Sequence, residues 1–369
     1  MPFGEEGRET GIGLALSGGG FRATLFHLGT LWRLNEMGIL SQIKRFSSVS
    51  GGSITCGHLA NVWSHLQFAN GVANNFEDVV AKPLEVFCSH GLDMSVILRG
   101  ILNPFKRPSD YLIQEYKRRL GLGSLLSGLS DFPRFVFNST NLATGASFRF
   151  SKPYAGDYRI GLIHNPDFDV ATAVAASSAF PPVLSPVVLN LDPARFAPTP
   201  GADLYDNVEC RSKIRLTDGG VYDNLGLETV WNRYDTVLVS DAGAPFSAGA
   251  YRSAFWTKQA MRVSDIVINQ CRALRKRRLI SDFTDGKNKG AYWGIGTDLR
   301  GYSCASKLAP RDSKVRDLAL LRTRLNNFSP REQGALINWG YSLCDAALRT
   351  FLFPAAPSPR GWPRTVYAL

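Results

Sequence analysis

Two copies of one pattern of apolar and polar residues open the chain. Residues 12–17 form a short apolar run that predicts a strand, three glycines follow, and apolar residues then recur at helical spacing from Phe21 onwards. The same order returns at once, with residues 45–50 as a second predicted strand, two glycines as a tight turn and residues 53–68 as a second helix. Two such units in tandem predict a parallel sheet flanked by helices.

Later parts of the chain repeat these two kinds of element. The pattern favours two strands joined by a turn, a helix of small residues, a second helix, and a strongly apolar strand that suits a buried position. These elements cover, in order, residues 135–140, 147–151, 169–180, 226–234 and 235–243. Pro181 and Pro182 end the small-residue helix because proline has no amide hydrogen to continue the helical ladder.

The order of the elements predicts one domain over residues 1–369. Its class is α/β, with a mostly parallel central sheet and helices on both sides, and its core runs from residue 12 to residue 243. Residues 70–131 carry irregular helical pieces interrupted by prolines, and we interpret them as a cap-like insertion over the sheet. Residues 251–350 form a mostly helical extension.

Composition and charge narrow the classes of protein to which the chain can belong. With 44% hydrophobic and 20% charged residues, the chain is neither disordered nor fibrous. Its net charge of +11 favours anionic partners such as phosphates, nucleic acid or phospholipid headgroups. No apolar run reaches the roughly 18 residues that a membrane-spanning helix requires, and the polar, acidic start lacks the features of a signal peptide. We expect a cytosolic protein with peripheral contact to membranes.

The six cysteines are spread along the chain, and the nearest two, Cys56 and Cys88, are 32 positions apart. They form no CxxC motif and no Cys/His ligand cluster, which argues against a zinc site and against a disulfide framework. Buried free thiols are the expected state. The sequence therefore predicts neither a metal nor a cofactor.

Ser50 has the surroundings of a nucleophile. It lies between an apolar strand and a helix, in a run that follows the G-x-S-x-G elbow pattern except that Ser48 replaces the first glycine, while Gly52 keeps the last. Small neighbours are needed because the sharp turn strains the backbone at the serine and brings strands close together. The start of the following helix favours negative charge at this place. A plain strand-to-helix turn is the alternative interpretation.

Gly18, Gly19 and Gly20 form the turn of the neighbouring unit. Their unhindered backbone amides can converge on a developing negative oxygen, which makes them candidates for an oxyanion hole. The competing interpretation is dinucleotide binding, because Gly18, Gly20 and Ala23 satisfy a G-x-G-x-x-A fingerprint. However, the acidic residue expected about 20 positions later, at the end of a second strand, has no counterpart, since Glu36 lies within the predicted helix.

A serine nucleophile needs a base, and the histidines fit that role poorly. All five precede Asp218, whereas the usual hydrolase order along the chain is serine, acid, histidine. Only His164, preceded by Asp131 or Asp157, keeps this order.

Asp218 is the stronger candidate for the base. It ends an apolar run, and Gly219 and Gly220 after it allow its carboxylate to reach a neighbouring strand end. A dyad without histidine can work, because a carboxylate held against the hydroxyl in a partly dry site orients the nucleophile and accepts its proton. An aspartate in a type I turn is the alternative interpretation.

Three separate runs carry a family resemblance: LALSGGGFRA at 14–23, SSVSGGS at 47–53 and TDGGVYDNLG at 217–226, supported by AASSAFPP at 175–182. Together they resemble the patatin-like phospholipases. The resemblance implies a lipid acyl hydrolase that forms an acyl-enzyme, with Ser50 and Asp218 as its dyad and glycines 18–20 as its oxyanion hole. Arg22 matches the basic position after those glycines. Ser48 and Ala23 depart from glycines of the family pattern, and both are small.

A basic amphipathic run extends from Lys258 to Ile280, with seven basic residues and one acidic residue among apolar ones. Such a helix can lie on an anionic membrane, so a phospholipid substrate and an anionic membrane surface are the expected partners, with a solvated helix face as the alternative. Nucleic-acid binding is not expected, because no binding fold or aromatic stacking pattern accompanies the charge. Two other functions stay open: dinucleotide binding at the Gly18–Gly20 turn, and membrane binding without catalysis.

Overall fold

A computed structural model describes residues 8–92, 103, 106–249, 251, 253, 255–304, 307–311 and 315–369. The strands are β1 Glu9–Leu16, β2 Ile43–Ser48, β3 Phe68–Ala69, β4 Val72–Ala73, β5 Arg134–Asn141, β6 Ser147–Phe150, β7 Tyr154–Asp157, β8 Gly161–His164, β9 Val187–Asn190, β10 Phe196–Ala197, β11 Lys213–Asp218, β12 Tyr234–Asp241 and β13 Lys289–Gly294. The helices are α1 Gly20–Glu36, α2 Gly51–Val62, α3 Lys82–Cys88, α4 Pro108–Leu120, α5 Val170–Ser178, α6 Val208–Ser212, α7 Gly220–Asp223, α8 Trp256–Thr284, α9 Val315–Leu318 and α10 Pro330–Phe351.

One large sheet has a parallel centre and antiparallel outer strands. Strands β5, β2, β1, β12 and β13 lie side by side in this order and are parallel. Beyond β5, the strands β6, β7, β8 and β10 continue the sheet with antiparallel pairs, and β11 pairs antiparallel with both β5 and β9. The predicted fold class, a mostly parallel central sheet flanked by helices, is confirmed.

Alternating side chains of the central strands are buried on both faces of the sheet. In β1, Leu14 and Leu16 belong to the larger core, whereas Ala15 belongs to a smaller core on the other face, as the period of two in a strand requires. Helices α1, α2, α5 and α10 contribute to the larger core. Leu279 of α8 and residues 225–230 cover the other face. Among the helices that the structure describes, none is both long enough and apolar enough to cross a bilayer.

The helix near the end of the chain is built into the larger core, because α10 crosses α1 at a pair of glycines. A Cβ atom on Gly29 would lie 1.9 Å from the carbonyl oxygen of Ile337, and one on Gly340 would lie 1.9 Å from that of Phe26. The two backbones therefore touch, which only glycine permits. The one-domain assignment stays a prediction, and this contact favours it.

The structure corrects one predicted helix and adds strands that the sequence pattern did not indicate. The helix predicted over residues 226–234 is wrong, because the Asp223 carboxylate accepts hydrogen bonds from the amides of Leu225 and Leu227 and holds a series of turns there. Helix α2 ends at Val62 rather than at residue 68. Strands β7, β8 and β9 have only four residues each, which is too short for a clear pattern, and β13 was also missed.

The stretch predicted as a cap, residues 70–131, contains β4, one π-helical turn at Glu77–Ala81, α3 and α4. Helix α3 packs against α1, and α4 packs against α5. Pro104, one of the prolines in this stretch, lies outside the described residues. The function of this stretch as a cap stays a prediction.

We expect Gly340→Ala to weaken the crossing of α1 and α10. The added methyl group would meet a backbone carbonyl, so the two helices would have to move apart, at a cost of about 1 to 3 kcal/mol in the free energy of unfolding. Urea denaturation measures this loss. Gly361→Ala is the control, because a Cβ atom there would have no atom within 4 Å. Equal losses in the two variants would contradict the close contact.

Candidate active site

Three strand ends meet at one point of the sheet. Strands β1 and β2 are parallel and end side by side. Strand β6 pairs with one edge of β5, and β2 and β11 both pair with the other edge, one after the other along it. Their last residues lie two positions apart on β5, because Ser48 pairs with Phe137 and Asp218 pairs with Ser139. Two positions along a strand span roughly 7 Å. The turns after β1, β2 and β11 therefore converge, and they carry the glycine turn, Ser50 and the residues after Asp218.

Ser50 occupies the sharp turn between β2 and α2. Its backbone angles, φ 52° and ψ −121°, lie in a region that residues other than glycine rarely adopt. The next two positions must be glycine. A Cβ atom on Gly51 would lie 2.0 Å from the carbonyl oxygen of Gly20, and one on Gly52 would lie 2.5 Å from that of Leu16. The strained turn of an elbow is therefore present at Ser50.

Ser48, which replaces the first glycine of the elbow pattern, is accommodated by hydrogen bonds. Its hydroxyl donates to the carbonyl oxygen of Val136 at 3.2 Å and accepts from the hydroxyl of Ser53 at 2.9 Å. Ala23, the other departure from the family pattern, is fully buried in the core beneath the glycine turn. Both substitutions therefore fit the closely packed backbone.

The glycine turn between β1 and α1 leaves some of its amides unbonded. In the described part of the chain, the amides of Gly19, Gly20 and Gly51 donate to no acceptor. The Gly18 amide, by contrast, donates to the carbonyl oxygen of Asn224 at 3.0 Å. Gly18 was predicted as a third oxyanion donor, and this hydrogen bond corrects that assignment. Gly18 is needed for close packing instead, since a Cβ atom there would lie 3.1 Å from the Cβ atom of Ser50.

The start of α1 is covered by a later segment of the chain. A Cβ atom on Gly20 would lie 1.7 Å from the carbonyl oxygen of Thr323, and the Phe21 amide donates to the carbonyl oxygen of Arg324 at 3.4 Å. In a dinucleotide-binding protein, the pyrophosphate lies against this end of the helix. Because residues 323 and 324 occupy that position, the structure disfavours dinucleotide binding at the Gly18–Gly20 turn.

Arg22 lies beneath the glycine turn and is fully buried. Its guanidinium group donates to the carbonyl oxygens of Ala319, Leu321 and Ala242 at 2.7, 2.8 and 2.7 Å. Burial, together with the nearby charge of Arg272, lowers the pKa of Arg22 to about 10, so the side chain remains charged at neutral pH. Arg22 therefore joins the start of α1 to the segment that covers it and to the residue after β12.

Asp218 is buried at the end of β11 with one carboxylate oxygen unbonded. Oδ1 accepts a hydrogen bond from the Gly220 amide at 2.7 Å, whereas Oδ2 has no hydrogen-bond partner of normal geometry in the described part of the chain. Burial raises the pKa of Asp218 to about 6, while the Gly220 amide and the Ser50 side chain act in the opposite direction. Gly219 is needed here, because a Cβ atom on it would lie 2.2 Å from the carbonyl oxygen of Asn138.

Ser177, in the last turn of α5, connects the two candidate residues. Its carbonyl oxygen accepts hydrogen bonds from the amides of Ser50 at 3.1 Å and of Gly219 at 3.2 Å. Its hydroxyl accepts from the Ser50 amide at 3.0 Å and donates to the carbonyl oxygen of Asn138 at 2.6 Å. The sequence comparison singled out the run AASSAFPP but gave Ser177 no role. Only the tertiary contacts show that it fixes the backbone on both sides of the site.

Asn138 and Asn224 are the other residues that sequence reasoning missed. The Asn138 side chain donates to the Ser47 hydroxyl and to the Ser48 carbonyl oxygen, both at 3.0 Å, and so fills the gap between β2 and β11. The Oδ1 atom of Asn224 would lie 2.4 Å from a Cβ atom on Gly18 and 2.6 Å from one on Gly220. Asn224 therefore lies between the glycine turn and the aspartate turn, within the TDGGVYDNLG run.

The alternative triad through His164 is wrong, because its members are far apart. His164 ends β8, which is separated from β2 by three strands, a distance on the order of 19 Å. Asp131 is exposed and pairs with Lys152 at 3.0 Å. Asp157 is buried, and its carboxylate accepts hydrogen bonds from the side chains of two neighbouring polar residues. None of these groups reaches the turn at Ser50.

A comparison with protein-family models matches residues 14–231 to the patatin-like phospholipases. The chain belongs to the patatin-like phospholipase family. The resemblance expected from the three sequence runs is confirmed, and the matched range contains the glycine turn, Ser50 and Asp218. No curated protein sequence matches the chain significantly. Among the described residues, no group of three or more His, Cys, Asp or Glu side chains could hold a metal ion.

Solved structures with a similar fold have low sequence identity to this patatin-like chain. Human GIVD cytosolic phospholipase A2 is 14% identical, with 90% of this chain and 60% of that chain covered and a TM-score of 0.45. Its complex with methyl gamma-linolenyl fluorophosphonate and terbium chloride is 18% identical, with 91% of this chain and 57% of that chain covered and a TM-score of 0.47. VipD from Legionella pneumophila is 14% identical, with 91% of this chain and 66% of that chain covered and a TM-score of 0.37. The chain thus spans less than two thirds of each of these structures.

We expect Asp218→Asn to change how the stability of this patatin-like chain depends on pH. The folded chain holds the Asp218 proton up to a pKa of about 6, above the usual 3.8, whereas the unfolded chain releases it earlier. The free energy of unfolding of the native chain therefore falls as the pH rises through this window, by about 3 kcal/mol from this group. The asparagine variant lacks this fall.

Urea denaturation of both chains between about pH 4 and pH 7 tests this prediction. At the upper end of the window, Asp218→Asn should be more stable than the native chain, and at the lower end the difference should disappear. Asp131→Asn, at a position with a 76% exposed side chain, is the matched control and should follow the native chain. The same pH dependence in Asp218→Asn and in the native chain would show that Asp218 has an ordinary pKa.

Proposed function

We propose that the chain is a lipid acyl hydrolase of the phospholipase A type, which cleaves ester-linked acyl chains through Ser50 and Asp218. The observation that carries this proposal is the convergence of a strained serine turn, a buried carboxylate and the glycine amides. These are the three parts that acyl transfer needs: a nucleophile, a base and donors for the oxyanion. Among the residues that the structure describes, one oxygen of this carboxylate and the amides of Gly19, Gly20 and Gly51 are unbonded. Membership of the phospholipase family supports the same reaction.

In the proposed first step, the Ser50 hydroxyl attacks the ester carbonyl carbon and its proton passes to Oδ2 of Asp218. The carbonyl oxygen becomes an oxyanion, which the amides of Gly19 and Gly20 stabilise, with the Gly51 amide at the start of α2 as a third donor. The alcohol portion of the lipid then leaves with the proton from Asp218, and the acyl chain stays on Ser50. Because the pKa of Asp218 is about 6, the carboxylate is mostly free of its proton at neutral pH.

In the second step, water hydrolyses the acyl-enzyme. Asp218 takes a proton from the water, the oxyanion forms again at the same amides, and the Ser50 oxygen leaves with that proton. The fatty acid is released and the site returns to its starting state. This chemistry uses only groups of the chain.

Apolar side chains beside the site favour a lipid substrate. Phe180 and Val183 are 48% and 42% exposed, in the loop that directly follows α5. The residue before this loop, Ala179, accepts a hydrogen bond from the Asp218 amide at 3.0 Å. The loop is thus held next to the proposed base, where exposed apolar groups suit an acyl chain better than a nucleotide.

An anionic membrane surface is the partner that we propose for the basic stretch Lys258–Ile280. The structure forms this stretch as part of α8, and its seven basic residues outnumber one acidic residue. A phospholipase must reach lipid in a bilayer, and positive charge draws a protein towards anionic headgroups. We therefore propose a cytosolic enzyme that acts peripherally at membranes.

A fluorophosphonate probe and lipid turnover on mixed liposomes test the proposed function. The probe should label Ser50 covalently, and Ser50→Ala should remove the label. Asp218→Asn should lower lipid turnover by about 100-fold or more, because the base is lost. Asp131→Asn is the control for a lost surface carboxylate and should keep the native rate.

Each alternative gives a different result in this experiment. Binding of a nicotinamide or flavin cofactor without labelling of Ser50 would favour a dinucleotide-binding protein. Vesicle binding without labelling or turnover would favour a membrane-binding module that has no catalysis. Equal turnover in the native chain and in Asp218→Asn would remove the aspartate from the mechanism while leaving the serine in place.

Ser177→Ala tests whether the Ser177 hydroxyl positions the nucleophile. The variant keeps the shared carbonyl oxygen but loses the hydroxyl's hydrogen bonds to the Ser50 amide, to the Asn138 carbonyl oxygen and to the Ser53 hydroxyl. We expect kcat to fall roughly tenfold or more with little change in KM, because small displacements of reacting groups are costly. Stability should fall by about 1 to 2 kcal/mol.

Ser178→Ala is the matched control for this substitution. The Ser178 hydroxyl is also buried, but it bonds to the carbonyl oxygen of Val174 at 2.8 Å and to the Tyr116 hydroxyl at 2.9 Å. In the described structure it forms no hydrogen bond to Ser50 or Asp218. We expect a similar loss of stability with turnover retained. If both variants lose turnover equally, the effect of Ser177→Ala comes from general destabilisation.

A further inference from the structure

The second half of helix α8 packs on the protein, whereas the first half is held through Arg262, which donates to the carbonyl oxygen of Ser247 at 2.8 Å. The helix has 29 residues, and its buried positions are Leu279 and Asp282, both near its end. From Trp256 to Val267 every residue is exposed except Arg262, which is half-buried. About three turns of helix therefore project from the described part of the chain with water on almost every side.

An apolar stripe runs along the exposed part of this helix. Trp256, Val263, Val267 and Leu274 recur at intervals that place them on one face, and Ala260 lies on the same face. Trp256 is 78% exposed, and the other three large residues of this face are 52% (Val263), 53% (Val267) and 59% (Leu274) exposed. Large apolar groups gathered on one exposed face mark a surface that binds a partner. We call these four residues the α8 stripe.

Positive charge accompanies the α8 stripe and indicates what kind of partner covers it. Arg277 and Arg278 flank the face of the stripe near its end, whereas Lys258, Arg262 and Lys276 lie on the opposite face of the helix. Asp265 is the only acidic residue between Lys258 and Ile280. Within the chain, Arg262 donates to the carbonyl oxygen of Ser247 and Arg278 pairs with Asp282, and both side chains are still partly exposed. The surface of an anionic bilayer offers phosphates for the basic side chains and an apolar layer for the stripe.

Two arginines on α8 connect the helix to loops of the candidate active site. Arg272 pairs with Asp241, at the end of β12, with 2.7 Å between nitrogen and oxygen. Arg275 lies 3.6 Å from Asp223, in the turns that follow Asp218. These pairs hold the second half of α8 against the segments that follow β12 and Asp218.

We propose that the α8 stripe docks on an anionic lipid bilayer, with its apolar side chains inserted between the headgroups and the neighbouring basic side chains bound to lipid phosphates. This inference deepens the proposed function, because it names the surface on which that function would be performed. It does not depend on turnover, since docking is a binding event that a chain without the nucleophile also performs.

The test is sedimentation with vesicles, using the full chain with Ser50→Ala so that no lipid is hydrolysed. Vesicles of phosphatidylcholine with phosphatidylglycerol are compared with vesicles of phosphatidylcholine alone. We expect binding to the anionic vesicles only, weakened by added salt. Val263→Asp with Val267→Asp should weaken this binding about tenfold or more, because the two valines lose their place in the apolar layer.

Thr257→Asp with Ser264→Asp is the matched control, since both positions are exposed on α8, lie off the stripe and add the same charge. We expect a loss below about threefold from the added charge alone. Circular dichroism checks that both variants keep their helix. Equal losses in the two variants, or no binding of the starting chain to anionic vesicles, would overturn the inference. Stripe-dependent binding by a chain whose native form shows no lipid turnover would support this inference and remove the proposed function.

Discussion

The meeting of β2 and β11 on one edge of β5 is the constraint on which the site depends. β2 runs parallel to β5 and β11 antiparallel, so their carboxyl ends point towards each other and stop two positions apart, at Phe137 and Ser139. Ser50 and Asp218 are far apart in the sequence, and this arrangement brings the two turns together. The carbonyl oxygen of Ser177 then bonds to both turns and limits how far either can move.

Backbone contacts explain why the motifs of this site are rich in glycine. A Cβ atom on Gly51 would overlap the carbonyl oxygen of Gly20 in the neighbouring turn. A Cβ atom on Gly20 or Gly219 would overlap the carbonyl oxygen of Thr323 or Asn138, from other segments of the chain. Each glycine is thus required by its neighbour in space rather than by its own turn alone. In the described part of the chain, the amides of Gly19, Gly20 and Gly51 in the first two turns donate to no acceptor. Glycine at these positions therefore suits both the close packing of the backbone and the proposed use of its amides.

Much of this arrangement could be predicted from the sequence, because the first two strand–helix units carry strong apolar periodicity and the site residues lie at their junctions. Other features depend on contacts that no local pattern encodes. The assignment of Gly18 as an oxyanion donor failed because its amide bonds to Asn224, more than 200 residues later. Ser177 and Asn138 were missed because the sequence alone does not show which residues a buried serine or asparagine hydrogen-bonds to. Residues 226–234 have a helical pattern, but hydrogen bonds to the Asp223 carboxylate hold them in turns.

Burial of Asp218 costs stability, and it would suit this carboxylate to the proposed role of a base without histidine. An exposed aspartate with an ordinary pKa holds a proton too weakly to act as an efficient base near neutral pH. Burial raises the pKa of Asp218 to about 6, and Oδ2 has no hydrogen-bond partner of normal geometry among the described residues, which would leave that oxygen able to accept a proton. A further hydrogen bond to Oδ2 would stabilise the charged carboxylate, lower its pKa and weaken the base. The unbonded oxygen, which reduces the stability of the fold, is therefore the feature that would give the carboxylate its catalytic strength.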